Sequence, residues 1–127
     1  MQEKHLFEYA VIRIVPRVER EEFLNVGVIL YCRNQNFLQA VYHLNEKRIS
    51  NFCGELNIGE LENYLDTFVR ISNAEKDAGP IAKLPLAERF RWLTATRSTI
   101  IQTSKVHPGF CKDPGETLKK LFNQLVL

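Results

Sequence analysis

FLNVGVILYCR, residues 23–33, decides the fold. Leu24, Val26, Val28, Leu30 and Cys32 recur at every second position, the period of a β-strand, and form an unbroken apolar face that must lie in a core. The alternate positions, Phe23, Asn25, Gly27, Ile29 and Tyr31, are mixed. Glycine inside a strand gives up stability, so Gly27 marks a bulge or a place where another backbone comes close.

Upstream, FEYAVIRIV (7–15) is rich in β-branched and aromatic residues and stops at Pro16, which cannot donate to a ladder. Ala10, Ile12 and Ile14 share one face; Tyr9, Val11, Arg13 and Val15 share the other. With both faces largely apolar, this reads as a central strand. A charged connection (17–22) joins the two. Downstream, Asn34-Gln35-Asn36 is a turn and Phe37–Leu44 returns as a third strand. The period then becomes helical. Asn45 caps a short helix through Phe52, and Gly54 stops it. Asn57 with Glu60 three residues on is a capping-box pattern. It opens a long helix that carries Ile58, Leu61, Leu65, Phe68 and Val69 on one side. A polar connection (73–85) is broken by Ala-Gly-Pro at 78–80. Pro85 suits the first turn of a helix reaching about Thr94, with Leu86, Phe90 and Leu93 inward. Arg97–Lys105 reads as a fourth strand and His107-Pro108-Gly109 as a turn. Asp113, Pro114 and Glu116 are the N-cap, N1 and N3 of a last helix, whose buried stripe is Leu118, Leu121, Phe122 and Leu125. The expectation is one α+β domain over 1–127: an antiparallel meander of about four strands, with helices mainly on the Leu24/Val26/Val28/Leu30 face.

Composition sets the class. The chain has 127 residues, 45% hydrophobic and 25% charged, with 8 Phe, 4 Tyr and 1 Trp, as a globular domain requires. No apolar run is long enough to cross a bilayer. MQEKHLFEYAV lacks the basic region, apolar stretch and cleavage site of a signal peptide, so a cytoplasmic location is expected. Cys32, Cys53 and Cys111 form no disulfide framework. No Cys-x-x-Cys or His-Glu-x-x-His is present, so neither a metal nor a cofactor is expected. The net charge of +2 is uneven: residues 1–82 hold 9 Lys/Arg against 12 Asp/Glu, and residues 83–127 hold 8 against 3. The basic half suits an anion, a nucleic acid or an acidic partner, or simply a soluble surface.

Two blocks, YAVIRIVP with EEFLNVGVILYC (9–32) and RFRWLTATRSTIIQTSKVHPGFCKDP (89–114), followed by TLKKLFNQLV, resemble the DUF3037 family over nearly the whole chain. The resemblance implies a small bacterial cytoplasmic domain with no established activity. It also implies a candidate protein partner, a kinase-like neighbour of the persistence-toxin type.

Arg89–Cys111 carries the densest chemistry. Arg89, Arg91, Trp92, Arg97, Ser98, Thr99, Gln102, Thr103 and Ser104 combine guanidinium forks, an indole, hydroxyls and amides, which suits an anionic ligand. The plainer alternative is a tryptophan covering the core edge with solvated or capping arginines. No phosphate-loop spacing is present. Arg13 and Asn25, on adjacent strands, suit a phosphate or carboxylate held bidentately, or a structural network between themselves. His107 and Cys111 are a candidate nucleophile pair, although Pro108-Gly109 rules out the helix that would bring them together. His43 and Cys32 are too few for a metal site. Glu19, Glu21, Glu22, Glu60 and Glu62 read as solvated faces or dipole partners. The leading expectation is a non-enzymatic binding or regulatory module for a protein partner or small anion. The alternatives are a nucleic-acid binder using the basic half, and a small enzyme with a Cys/His or Ser nucleophile.

Overall fold

The computed structural model describes residues 3–97 and 99–127. Strands β1 (His5–Ile14), β2 (Leu24–Cys32) and β3 (Phe37–Tyr42) are followed by helices α1 (Glu46–Phe52), α2 (Ile58–Ser72) and α3 (Leu86–Leu93). Strands β4 (Ile101–Thr103) and β5 (His107–Cys111) and helix α4 (Pro114–Leu125) complete the domain. β1, β2 and β3 are an antiparallel meander. β4 and β5 both pair antiparallel with β1, on the edge away from β2. The sheet is therefore four strands wide, with its outer strand in two pieces, and the class is α+β.

That division corrects two expectations. The strand expected over Arg97–Lys105 shrinks to Ile101–Thr103, and His107-Pro108-Gly109 is strand rather than turn. Proline is tolerated there because β5 is an edge. Gly109 is needed because Phe7 lies against it: a Cβ would stand 2.5 Å from Phe7 Cζ. Between the two pieces the pairing slips by one residue, from Ile12 opposite Thr103 to Tyr9 opposite His107. Ser104 holds the break. Its N–H donates to Val11 O at 2.8 Å, and its Oγ accepts from Val11 N at 2.8 Å, where a regular strand would offer a carbonyl.

A second slip sets the two cores. Ile12 faces Gly27 but Arg13 faces Asn25, so Val26 is an extra residue in β2. The sequence marks Gly27 for a bulge or a close approach, and both occur there. The bulge inverts the alternation, so the apolar face read over Leu24–Cys32 is divided. Val28, Leu30 and Cys32 join Phe7, Leu118 and Val126 under α4. Val26, with Leu24 beside it, turns to the opposite side, with Ala10, Ile12, Ile29 and Tyr31 against α2 and α3. Three helices thus pack on one face, but it is the Ala10/Ile12/Ile29 face, and α4 covers part of the other. Each face of the central strands is apolar, and each is covered.

The caps follow local chemistry. Asn45 Oδ1 accepts from Arg48 N at 3.0 Å and Asn57 Oδ1 from Glu60 N at 3.2 Å. Asp113 Oδ1 accepts from Gly115 N at 3.0 Å, with Pro114 at N1. At the end of α2, Glu75 N bonds Arg70 O and Ala74 N bonds Ile71 O, the paired bonds of a Schellman motif. The left-handed residue is Ala74, at φ 56°, where glycine carries no Cβ penalty. Ala74→Gly is expected to raise stability by about 1 kcal/mol and the melting temperature by about 4 °C, read by thermal unfolding. No helix among the described residues is long and apolar enough to cross a membrane.

Candidate functional site

The arginines around the tryptophan separate. Arg89 lies on the same helical stripe as Leu86, Phe90 and Leu93. It is 8% exposed and points Nη1 at Ala82 O, 3.5 Å away, so it faces the interior. Arg91 leaves the other side of α3 toward an open hollow shared with Glu8, Arg33 and Asn34. Arg97 returns to Trp92: its guanidinium carbon stands 4.1 Å from the centre of the indole, and Nη2 donates to the Trp92 carbonyl at the end of α3. That carbonyl also accepts from Ala95 N at 3.4 Å, so Arg97 adds a second donor at a helix C-terminus, where carbonyls favour a cation. Ser98 lies outside the described residues.

The Trp92–Arg97 stack forms one wall of a hollow of about 300 Å³ between α2, α3, Thr99, Ile100 and Ile101. Phe68, Ile71, Leu93 and Ile101 make an apolar floor. Tyr64 and Trp92 flank it, 58% and 40% exposed. Thr67 and Thr99 also line it, but both hydroxyls donate to backbone carbonyls, Asn63 O at 3.0 Å and Ile101 O at 2.6 Å. Arg97 is the one cation of this lining, and it has no carboxylate partner among the described residues. An apolar floor, two aromatic flanks and one positive fork are the makings of a recognition site, with large rigid surfaces and a single orienting charge. Tyr64 and Thr67 are absent from the sequence-derived set. Tyr64 was findable: it is an aromatic residue of α2 that falls off the buried Leu61/Leu65/Phe68 stripe.

The remaining candidates sit across the sheet. Asn25, Arg13 and Gln102 form one row over β2, β1 and β4. The Arg13 guanidinium carbon lies 3.8 Å from the centre of the Phe23 ring. Burial lowers the Arg13 pKa, the direction desolvation imposes on a cation. Asn25 Nδ2 donates to Leu125 O at 3.2 Å, at the end of α4. His107 stacks on Tyr9 on the same face, with ring centres 5.3 Å apart.

The proposed pairs do not form. His107 is opposite Tyr9 and Cys111 opposite His5, at the two ends of β5. Burial first, and the neighbouring Cys32 second, push the Cys111 thiol up, the reverse of what an activated thiolate needs. Cys32 pairs with Phe37, whereas His43 lies beyond the far end of β3, so these two are apart as well. Among the described residues no three His, Cys, Asp or Glu side chains gather as a metal site would require.

Comparison with known proteins gives a family match. The family model for DUF3037, a protein of unknown function, covers residues 9–126. No curated protein and no solved structure matches the chain.

Proposed function

We propose a role for this chain, which belongs to the DUF3037 family, from the chemistry of its hollow: a bacterial cytoplasmic binding module without catalysis of its own. The hollow takes an apolar side chain of a protein partner, and Arg97 pairs with a carboxylate beside it. The observation that carries this is the Arg97–Trp92 stack at an apolar floor. The stack fixes the plane of the guanidinium, so less freedom is lost when it bonds a carboxylate. A small amphipathic carboxylate satisfies the same chemistry and is the second occupant to test. The kinase-like neighbour implied by the family resemblance is one candidate source of the segment.

Trp92 is the single tryptophan of the chain, so intrinsic fluorescence reports on the hollow directly. The probes are short peptides that place Leu or Phe next to Asp or Glu, each matched by its Asn or Gln counterpart. Acidic peptides are expected to change the Trp92 emission saturably and the amide peptides are not. Arg97→Ala is expected to weaken binding about tenfold or more. The melting temperature should change little, because Arg97 joins no ion pair among the described residues. Equal binding of acidic and amide peptides, or no binding of either, refutes the proposal.

A further inference from the structure

We infer a second binding site, for a small oxyanion such as a carboxylate or phosphate, at Arg13 on the sheet face opposite the hollow. This inference rests on different residues from the proposed function and stands apart from it.

β1 places Arg13 between Asn25 on one side and Gln102 on the other. Helix α4 rests over β2 and β3 and ends beside Asn25. The Arg13 Nε is enclosed and bonded to nothing among the described residues, and so is Asn25 Oδ1. A partly withdrawn charge normally finds a counter-charge or carbonyl acceptors, because leaving it unpaired is costly. The last carbonyls of α4 have other donors, and the enclosed Asn25 Oδ1, across the strand, is not bonded to Arg13. Asn25 Nδ2 bonds Leu125 O at 3.2 Å, and Arg48 Nη1 bonds Val126 O at 2.9 Å. No ion pair among the described residues includes Arg13. What the fold does supply is orientation. Phe23, 44% exposed, lies under the guanidinium plane. The outer edge of the fork is thus presented in a fixed plane, the geometry that two oxygens of a carboxylate or phosphate match. Gln102 Nε2 donates one hydrogen to Thr99 O at 2.8 Å and keeps a second on the flank of the site. One guanidinium and one amide suit a single oxyanion group rather than a polyanion.

The test is a titration of the full chain with sodium acetate, and separately with inorganic phosphate, against chloride at constant ionic strength. The readout is the arginine Nε–H signals in nitrogen-15 NMR. The Arg13 signal is expected to move saturably, with a midpoint on the order of 1 mM, while those of Arg33 and Arg91 stay in place. Saturation with acetate assigns a carboxylate ligand, and saturation with phosphate alone a phosphate. Arg13→Lys keeps the charge but loses the fork. It is expected to bind roughly tenfold more weakly, the loss of one charge-assisted hydrogen bond, as read from backbone amide shifts. Phe23→Leu leaves the arginine and removes its shelf, and is also expected to weaken binding. An Arg13 signal that stays still, or that drifts linearly together with the other arginines as with an adventitious ion only, overturns the inference. So does a Phe23→Leu variant that binds as tightly as the parent.

Discussion

Gly27→Ala is expected to cost about 3 kcal/mol or more, a large part of the stability of a domain this size. The new Cβ would stand 2.5 Å from Val41 O, 3.0 Å from Tyr42 Cβ and 3.2 Å from Ile12 Cδ1. The first of these is strand backbone. It cannot rotate away, because the ladder holds Val41 opposite Val28 and Tyr42 opposite Gly27. Relief requires β3 to separate from β2, and that opens the cores on both faces of the sheet. Urea unfolding would measure the loss as a lower midpoint at unchanged slope. A variant as stable as the parent would mean that β3 does not approach β2 this closely.

The second large effect is expected at Ser104. Ser104→Ala leaves the Val11 N–H inside the protein with no acceptor, and stranding a buried donor costs about 2 kcal/mol. The site is closed, with Ser104 6% exposed, so water does not readily replace the hydroxyl. Ser104→Thr keeps the oxygen and should lose much less. Hydrogen exchange separates this cause from general destabilisation: the Val11 amide should lose protection beyond the global loss. Uniform loss across β1 would instead show that the serine side chain is not its acceptor.

What could be read from sequence divides by the range of the interactions. The caps at Asn45, Asn57 and Asp113 are bonds between a side chain and a backbone two or three residues away, so spacing alone identifies them. β5 was not legible. His107-Pro108-Gly109 has the composition of a turn, and it is strand because Phe7, 102 positions before Gly109, needs the space a side chain there would fill. Gly27 was legible as an irregularity, but its effect on the faces was not, because that depends on which residue of β2 is left over. Trp92 and Arg97 were legible as unusual chemistry and do meet. The fan of arginines around them was not real in space. Arg89 shares a helical stripe with Leu86 and Leu93, and that spacing already placed it inward. The division of the candidates into two groups on opposite sheet faces follows from the register of β1, which no local pattern reveals.

The surplus residue at Val26 changes how the strand tolerates altered length. β2 is in effect two short strands of opposite parity joined at one position. Losing that one residue straightens the pairing and leaves Leu24, Asn25 and every residue from Gly27 onward on the side it now occupies, at the expense of one buried valine. Losing a residue anywhere between Val28 and Cys32 reverses the parity of the remainder and exchanges inside for outside. The strand thus has one expansion joint, and it adjoins the row that holds Arg13.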